Sequence, residues 1–120
     1  MKALTFPRKP KESDIKRSIR QLLRWHKIPH WNMWQGQFSE PGILDLLGLL
    51  PGGRFFGIEV KVDKSKLRRD TKRYRDQQGF IDWVNETGGI AFRADCLEDV
   101  VERLGLQDVR LGPLFAKGGK

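Results

Sequence analysis

Between Lys11 and His26, apolar side chains at Ile15, Ile19, Leu22 and Leu23 keep the three-and-four spacing of one helical face and predict an amphipathic helix. Glu12 begins on that apolar stripe, while Lys16, Arg17 and Arg20 fall on the other side. The period then breaks. From Ile28 to Ser39, Trp31, Met33 and Trp34 alternate with Pro29, Asn32 and Gly36, which suggests a short strand and a loop. Leu46 to Leu50 and Phe55 to Val62 are rich in branched and aromatic residues, and Pro51-Gly52-Gly53 punctuates a turn between them. A helix is expected from about Thr71 to Glu86, with Tyr74, Gln77, Ile81 and Val84 facing inward and Gly88-Gly89 closing it. Ile90 to Arg93 reads as a further strand. Asp95-x-x-Glu98 looks like a capped helix start, and Leu97, Val100, Val101 and Leu104 form the stripe that follows, up to Gly105. The order predicts a small α/β fold, a mixed sheet with a central β-hairpin flanked by helices. Residues 1–9 read as a basic flexible arm, 10–105 as the domain and 106–120 as a Gly- and Lys-rich tail.

The hairpin carries the chemistry. With Leu50 opposite Arg54 across a three-residue loop, Asp45 falls opposite Glu59. Directly paired residues share a face, with Cβ atoms about 4.5–5.5 Å apart. Lys61 joins them there, because strand side chains alternate. Like charges so placed repel. A divalent cation between the carboxylates removes that repulsion, and hard oxygen ligands suit Mg²⁺ or Mn²⁺. The plain alternative is a surface hairpin on which Lys61 neutralises both acids.

Charge narrows the partner. Lys and Arg number 23 against 15 Asp and Glu, a net +8, which favours a polyanion. Among these cations, Lys16, Arg17, Arg20, Lys64, Lys66, Arg68, Arg69, Lys72, Arg73 and Arg75 are candidate phosphate contacts. A single cysteine, Cys96, excludes an internal disulfide and a cysteine-based zinc site, and reads as an inert thiol at a helix start. His26 and His30, the only histidines, have no partners at zinc-site spacing. Met1 to Lys11 has no apolar signal-peptide core, and no run approaches the ~20 residues that span a bilayer. A cytoplasmic setting is expected, with no membrane partner.

Pro41-Gly42-x-x-Asp45, a Gly-Gly turn and Glu59-Val60-Lys61 resemble the signature of the PD-(D/E)xK nucleases. Pro-Gly-Gly-Arg before Ile58-Glu59-x-Lys61, followed by a Gln-bearing helix that ends in Gly-Gly, is similar to the VRR-NUC branch of that superfamily. The resemblance covers roughly residues 10 to 104; the chain has Pro-Gly-Ile-Leu-Asp where the family often sets Pro directly before the Asp. It implies a restriction-endonuclease-like core and Mg²⁺-dependent hydrolysis of DNA, with Mn²⁺ as a substitute. Asp45, Glu59 and the backbone carbonyl of Val60 would hold the metal. Lys61 would stand beside the attacked phosphate, Glu12 would be a further acid, and Gln77 would steady the site. Stand-alone members act on branched DNA such as four-way junctions, so a homodimer is expected, with Trp31, Met33, Trp34 and Phe38 as candidate interface groups. Two other readings stand beside this one: a catalytically idle DNA-binding relative, and an unrelated RNA-binding protein. The second would show aromatic stacking positions on its strands, and the predicted strands carry no such run.

Overall fold

The computed structural model describes residues 10–36 and 39–106. Helix α1 spans Glu12–Trp25. Its first turn is fixed by Asp14, whose carboxylate accepts from the Lys11 backbone N–H at 2.9 Å, a favourable charge at a helix N-terminus. Ile15, Ile19, Leu22 and Leu23 are buried as the spacing predicts. Glu12 is exposed instead of lying on that stripe, and the buried acid of the first turn is Asp14. The apolar face begins at Ile15, too far along the helix to cover its first residue. Lys27 ends the helix in the left-handed region at φ 58°, and the chain turns into strand β1, His30–Asn32.

Strands β2, Leu46–Leu50, and β3, Arg54–Val60, form the hairpin. Pro51–Gly53 make one tight helical turn between them, and Gly52 and Gly53 sit at φ 86° and 81°, where side chains are strained. The register is the expected one, Leu50 against Arg54 and Leu46 against Ile58. Helix α2, Lys72–Glu86, follows; its N-cap Thr71 accepts from the Tyr74 N–H at 3.1 Å. Strand β4, Ile90–Ala94, then runs parallel to β3, and helix α3, Leu97–Leu104, closes the described chain. The sheet order is β1-β2-β3-β4, antiparallel but for the last pair. Among the described residues this makes a small mixed α/β fold with a four-stranded sheet and three α-helices. Helix α3 starts one residue later than Asp95-x-x-Glu98 suggests: Cys96 is the N-cap, and Asp99, not Glu98, reaches back to accept from the Asp95 N–H at 3.1 Å.

Strand alternation sorts the core into two layers. Leu46, Phe56, Ile58, Val60, Phe92 and Ala94 face α1 and α3. Leu44, Phe55 and Ala91 meet Ile81, Val84 and Phe80 of α2 on the opposite face. Glu59 has the same parity as Phe55, so it lies on the α2 face, where the apolar patch gives way to polar residues. No helix among the described residues is long and apolar enough to cross a membrane. The arm 1–9, Phe38 and the tail beyond Leu106 lie outside the described residues.

Candidate active site

The carboxylates of Asp45 and Glu59 meet at the open end of the hairpin. Glu59 Oε1 accepts from the Asp45 N–H at 3.2 Å, and Asp45 Oδ2 accepts from the Val60 N–H at 2.8 Å. Each acid is thus locked to the backbone of the other's strand. Lys61 Nζ lies 3.4 Å from Glu59 Oε2, on the shared face that strand alternation requires. Lys16 Nζ approaches Asp45 Oδ1 at 3.8 Å. Expected on the outward side of α1, Lys16 therefore points at the acids.

Helix α2 covers the site. Gln77 is 2 % exposed, and its amide favours the charged form of Glu59, itself 2 % exposed. Gly42, at φ 84°, lets the loop before Asp45 pass tight against α2; a Cβ there would stand 2.6 Å from the Asp76 carbonyl oxygen. Burial pushes the Glu59 carboxyl above the ordinary carboxylate range, and the Asp45 charge pushes the same way. Lys61 and the amides of Gln35 and Gln77 act against them.

Gln35 went unseen in the sequence. It follows β1 in a segment without hydrophobic period, and its Nε2 donates to Asp45 Oδ1 at 3.0 Å and to Glu59 Oε1 at 3.4 Å. Arg73 Nη2 donates to Gln35 Oε1 at 2.5 Å. The available signal was slight: one polar side chain between Trp34 and Gly36, in the loop that must lead back to Asp45. Glu12 is exposed at the start of α1, and among the described residues no hydrogen bond or ion pair joins it to Asp45, Glu59 or Lys61.

A cleft of about 480 Å³ opens beside Lys61 and Gln77, with Lys66, Arg68, Arg73 and Tyr74 in its wall. A second, of about 300 Å³, is lined by Gln35, Lys72, Arg73 and Gln77. Arg73 and Gln77 border both. Acids already engage several of the expected phosphate contacts: Lys64 pairs with Asp99 at 2.7 Å, Arg17 with Asp14 at 3.5 Å, Lys72 with Asp76 at 2.7 Å and, in the cleft wall itself, Arg68 with Asp70 at 3.2 Å and Lys66 with Asp63 at 4.0 Å. Arg20 Nε donates to His30 Nε2 at 3.4 Å, and Arg69 lies 5.9 Å from the centre of the Tyr74 ring.

Asp95, Cys96 and Asp99 also lie close together. Their arrangement is that of a helix start: Asp99 caps Asp95 and holds Lys64. Burial pushes the Cys96 thiol up to about 11, so it stays protonated at neutral pH. Burial likewise pulls the His30 imidazole down, and its Nδ1 donates to the Ile28 carbonyl at 3.0 Å.

Compared with family models, curated proteins and solved structures, the chain matches none. The geometry alone carries the functional argument.

Proposed function

We propose that this chain is a divalent-metal-dependent nuclease that hydrolyses DNA phosphodiester bonds, of the PD-(D/E)xK type and its VRR-NUC branch. One observation carries the reading: two carboxylates on adjoining strands, one of them fully buried, share a face with a lysine at the mouth of a cationic cleft. Burying like charges side by side is costly, and Lys61 and Lys16 each pair with only one of the two acids, so neither ammonium bridges them. The donor set fits a hard divalent ion, since only oxygen ligands converge from Asp45 and Glu59 and no imidazole or thiolate enters. Asp45, Glu59 and the Val60 carbonyl are the proposed ligands. A bound Mg²⁺ would supply Lewis acidity at phosphorus and lower the pKa of a water.

The chain's own groups do the rest. Arg68, Arg73 and Lys66 attract the phosphate backbone into the cleft. Lys61 presents its ammonium to the negative charge that builds on the phosphoryl oxygens. Gln77 holds the Glu59 carboxylate in place, so that its free lone pairs stay aimed at the site.

A domain this small offers little surface for reading bases beyond its catalytic face, which favours recognition of DNA shape over sequence. Branched DNA, cut by a two-fold pair of subunits, is the proposed substrate. Trp31 and Trp34 are exposed and Met33 is partly covered, as an interface between copies would need. Plasmid cleavage with Mg²⁺ and with chelator tests the activity. Light scattering, with four-way junction, flap and linear duplex compared as substrates, tests the rest. A protein that leaves all DNA intact in Mg²⁺ and Mn²⁺ is not this enzyme, and a monomer that cuts linear duplex as fast as junctions ends the branched-DNA reading.

A further inference from the structure

Gln35 stands where a cation between the two acids would act. Its Nε2 bridges Asp45 Oδ1 and Glu59 Oε1, and its Oε1 is taken by Arg73. The partners dictate this orientation: ionised carboxylates only accept, and a guanidinium only donates. In the metal-free protein the amide nitrogen thus offsets part of the repulsion between the acids, and Arg73 is tied up in holding the amide oxygen.

A dication held by the same carboxylates reverses the preference. The amide hydrogens carry partial positive charge and would face the ion, whereas the amide oxygen is a hard neutral ligand of the kind Mg²⁺ and Mn²⁺ take. The terminal torsion of a glutamine is soft and roughly two-fold, so half a turn exchanges oxygen and nitrogen with little change in shape. That half-turn also presents the amide nitrogen to Arg73. Two donors cannot bond each other, so Arg73 is released. It lines both clefts, which is where a phosphate would pass.

We propose that Gln35 is a metal-responsive ligand: it bridges Asp45 and Glu59 through nitrogen when no ion is bound, turns its oxygen to a divalent cation, and in turning frees Arg73 for a substrate phosphate. The proposal rests on the metal-site reading of Asp45 and Glu59 and deepens it. Cation and polyanion binding are then linked, each raising the affinity for the other by the same factor.

Isothermal titration of Mn²⁺ into the full chain tests this without any cleavage readout. Gln35→Ala is expected to weaken Mn²⁺ binding about 10-fold or more. Gln35→Glu, which keeps an oxygen of similar reach, is expected to bind Mn²⁺ at least as tightly as wild type while melting lower without metal. Arg73→Ala removes the group that holds the amide oxygen away, so it should tighten Mn²⁺ binding in wild type and do so much less in the Gln35→Ala background. An equal effect of Arg73→Ala in both backgrounds reduces it to simple charge repulsion and overturns the release of Arg73. Gln35→Ala that binds Mn²⁺ as tightly as wild type, or Gln35→Glu that binds it more weakly, overturns the ligand role alone. A wild-type protein that takes up no Mn²⁺ overturns both this proposal and the metal site beneath it.

Discussion

Asp45 and Glu59 are cross-pinned: the Asp45 N–H donates to the Glu59 carboxylate at 3.2 Å, while the Asp45 carboxylate takes the N–H of Val60, the residue after Glu59, at 2.8 Å. Neither acid can swing away without breaking a backbone contact of the other. The pair is preorganised, and preorganisation is what a site needs if it is to act on an incoming group without first rearranging.

Substitutions at the pair should therefore be isosteric. Truncating Glu59 would strip the Asp45 N–H of its acceptor and the Gln35 amide of one of its two, at a cost of about 1–3 kcal/mol for a donor left buried and unsatisfied. Asp45→Asn and Glu59→Gln are expected to lower cleavage by about 100-fold or more while leaving DNA affinity in chelator near that of wild type. Near-wild-type cleavage in either variant would remove the acids from the chemistry.

Lys61 should separate chemistry from metal binding. Lys61→Met keeps the stem and loses the ammonium that stands 3.4 Å from Glu59. Turnover is expected to fall about 100-fold, with Mn²⁺ affinity unchanged or higher, because a cation cannot ligate a cation. Loss of Mn²⁺ binding in a folded Lys61→Met protein would contradict the assigned role.

Glu59 also predicts a pH dependence. Its carboxyl holds a proton more tightly folded than unfolded, because of burial and the Asp45 charge. Between the ordinary carboxylate value and the raised native one, the folded state binds more protons, so stability falls as pH rises through that window and the full penalty applies above it. Without divalent ions, the Tm of Glu59→Gln should gain on wild type as pH rises through the window, and Mg²⁺ should reverse the trend. A Tm difference that is flat with pH argues that Glu59 titrates normally.

The cleft makes a claim about salt. Lys66, Arg68 and Arg73 line it, the first two only in exposed, exchangeable pairs with Asp63 and Asp70, whereas Lys64 is outside it and held at 2.7 Å by the more covered Asp99. Neutralising the first three together should flatten the plot of log affinity for duplex DNA against log salt by about 0.9 for each lost phosphate contact. Lys64→Gln should leave the slope alone. The opposite ranking would move the DNA to another face.

The hairpin was legible because its signals are local. Pro51-Gly52-Gly53 fixes the turn, the turn fixes the register, and the register brings Asp45, Glu59 and Lys61 together. Gln77 was legible as the polar member of an apolar stripe, and its burial agrees with that reading. Gln35 was not, because no period governs the loop between Asn32 and Asp45 and only tertiary contact says where its amide lands. Lys16 was misjudged for a related reason: a helical period gives the face of a residue, but a long side chain can reach around the helix to Asp45. The candidate phosphate contacts of α1 and of the Lys64–Arg75 run do not form one surface that composition could show, since nearby acids engage several of them.

The three-residue turn between β2 and β3 has a consequence for how the chain assembles. It makes this hairpin the most local pairing in the sheet, whereas β4 joins β3 only after α2 has intervened. Short-range pairings close early, hairpins within about 1–10 μs. Asp45 and Glu59 then confront each other before α2 can lay Gln77 over them, and their repulsion burdens the folding nucleus as well as the finished protein. Divalent cations should raise the folding limb of the wild-type chevron, and raise it less for Glu59→Gln. A cation effect confined to the unfolding limb would mean that the two acids meet only late, once the rest of the domain is in place.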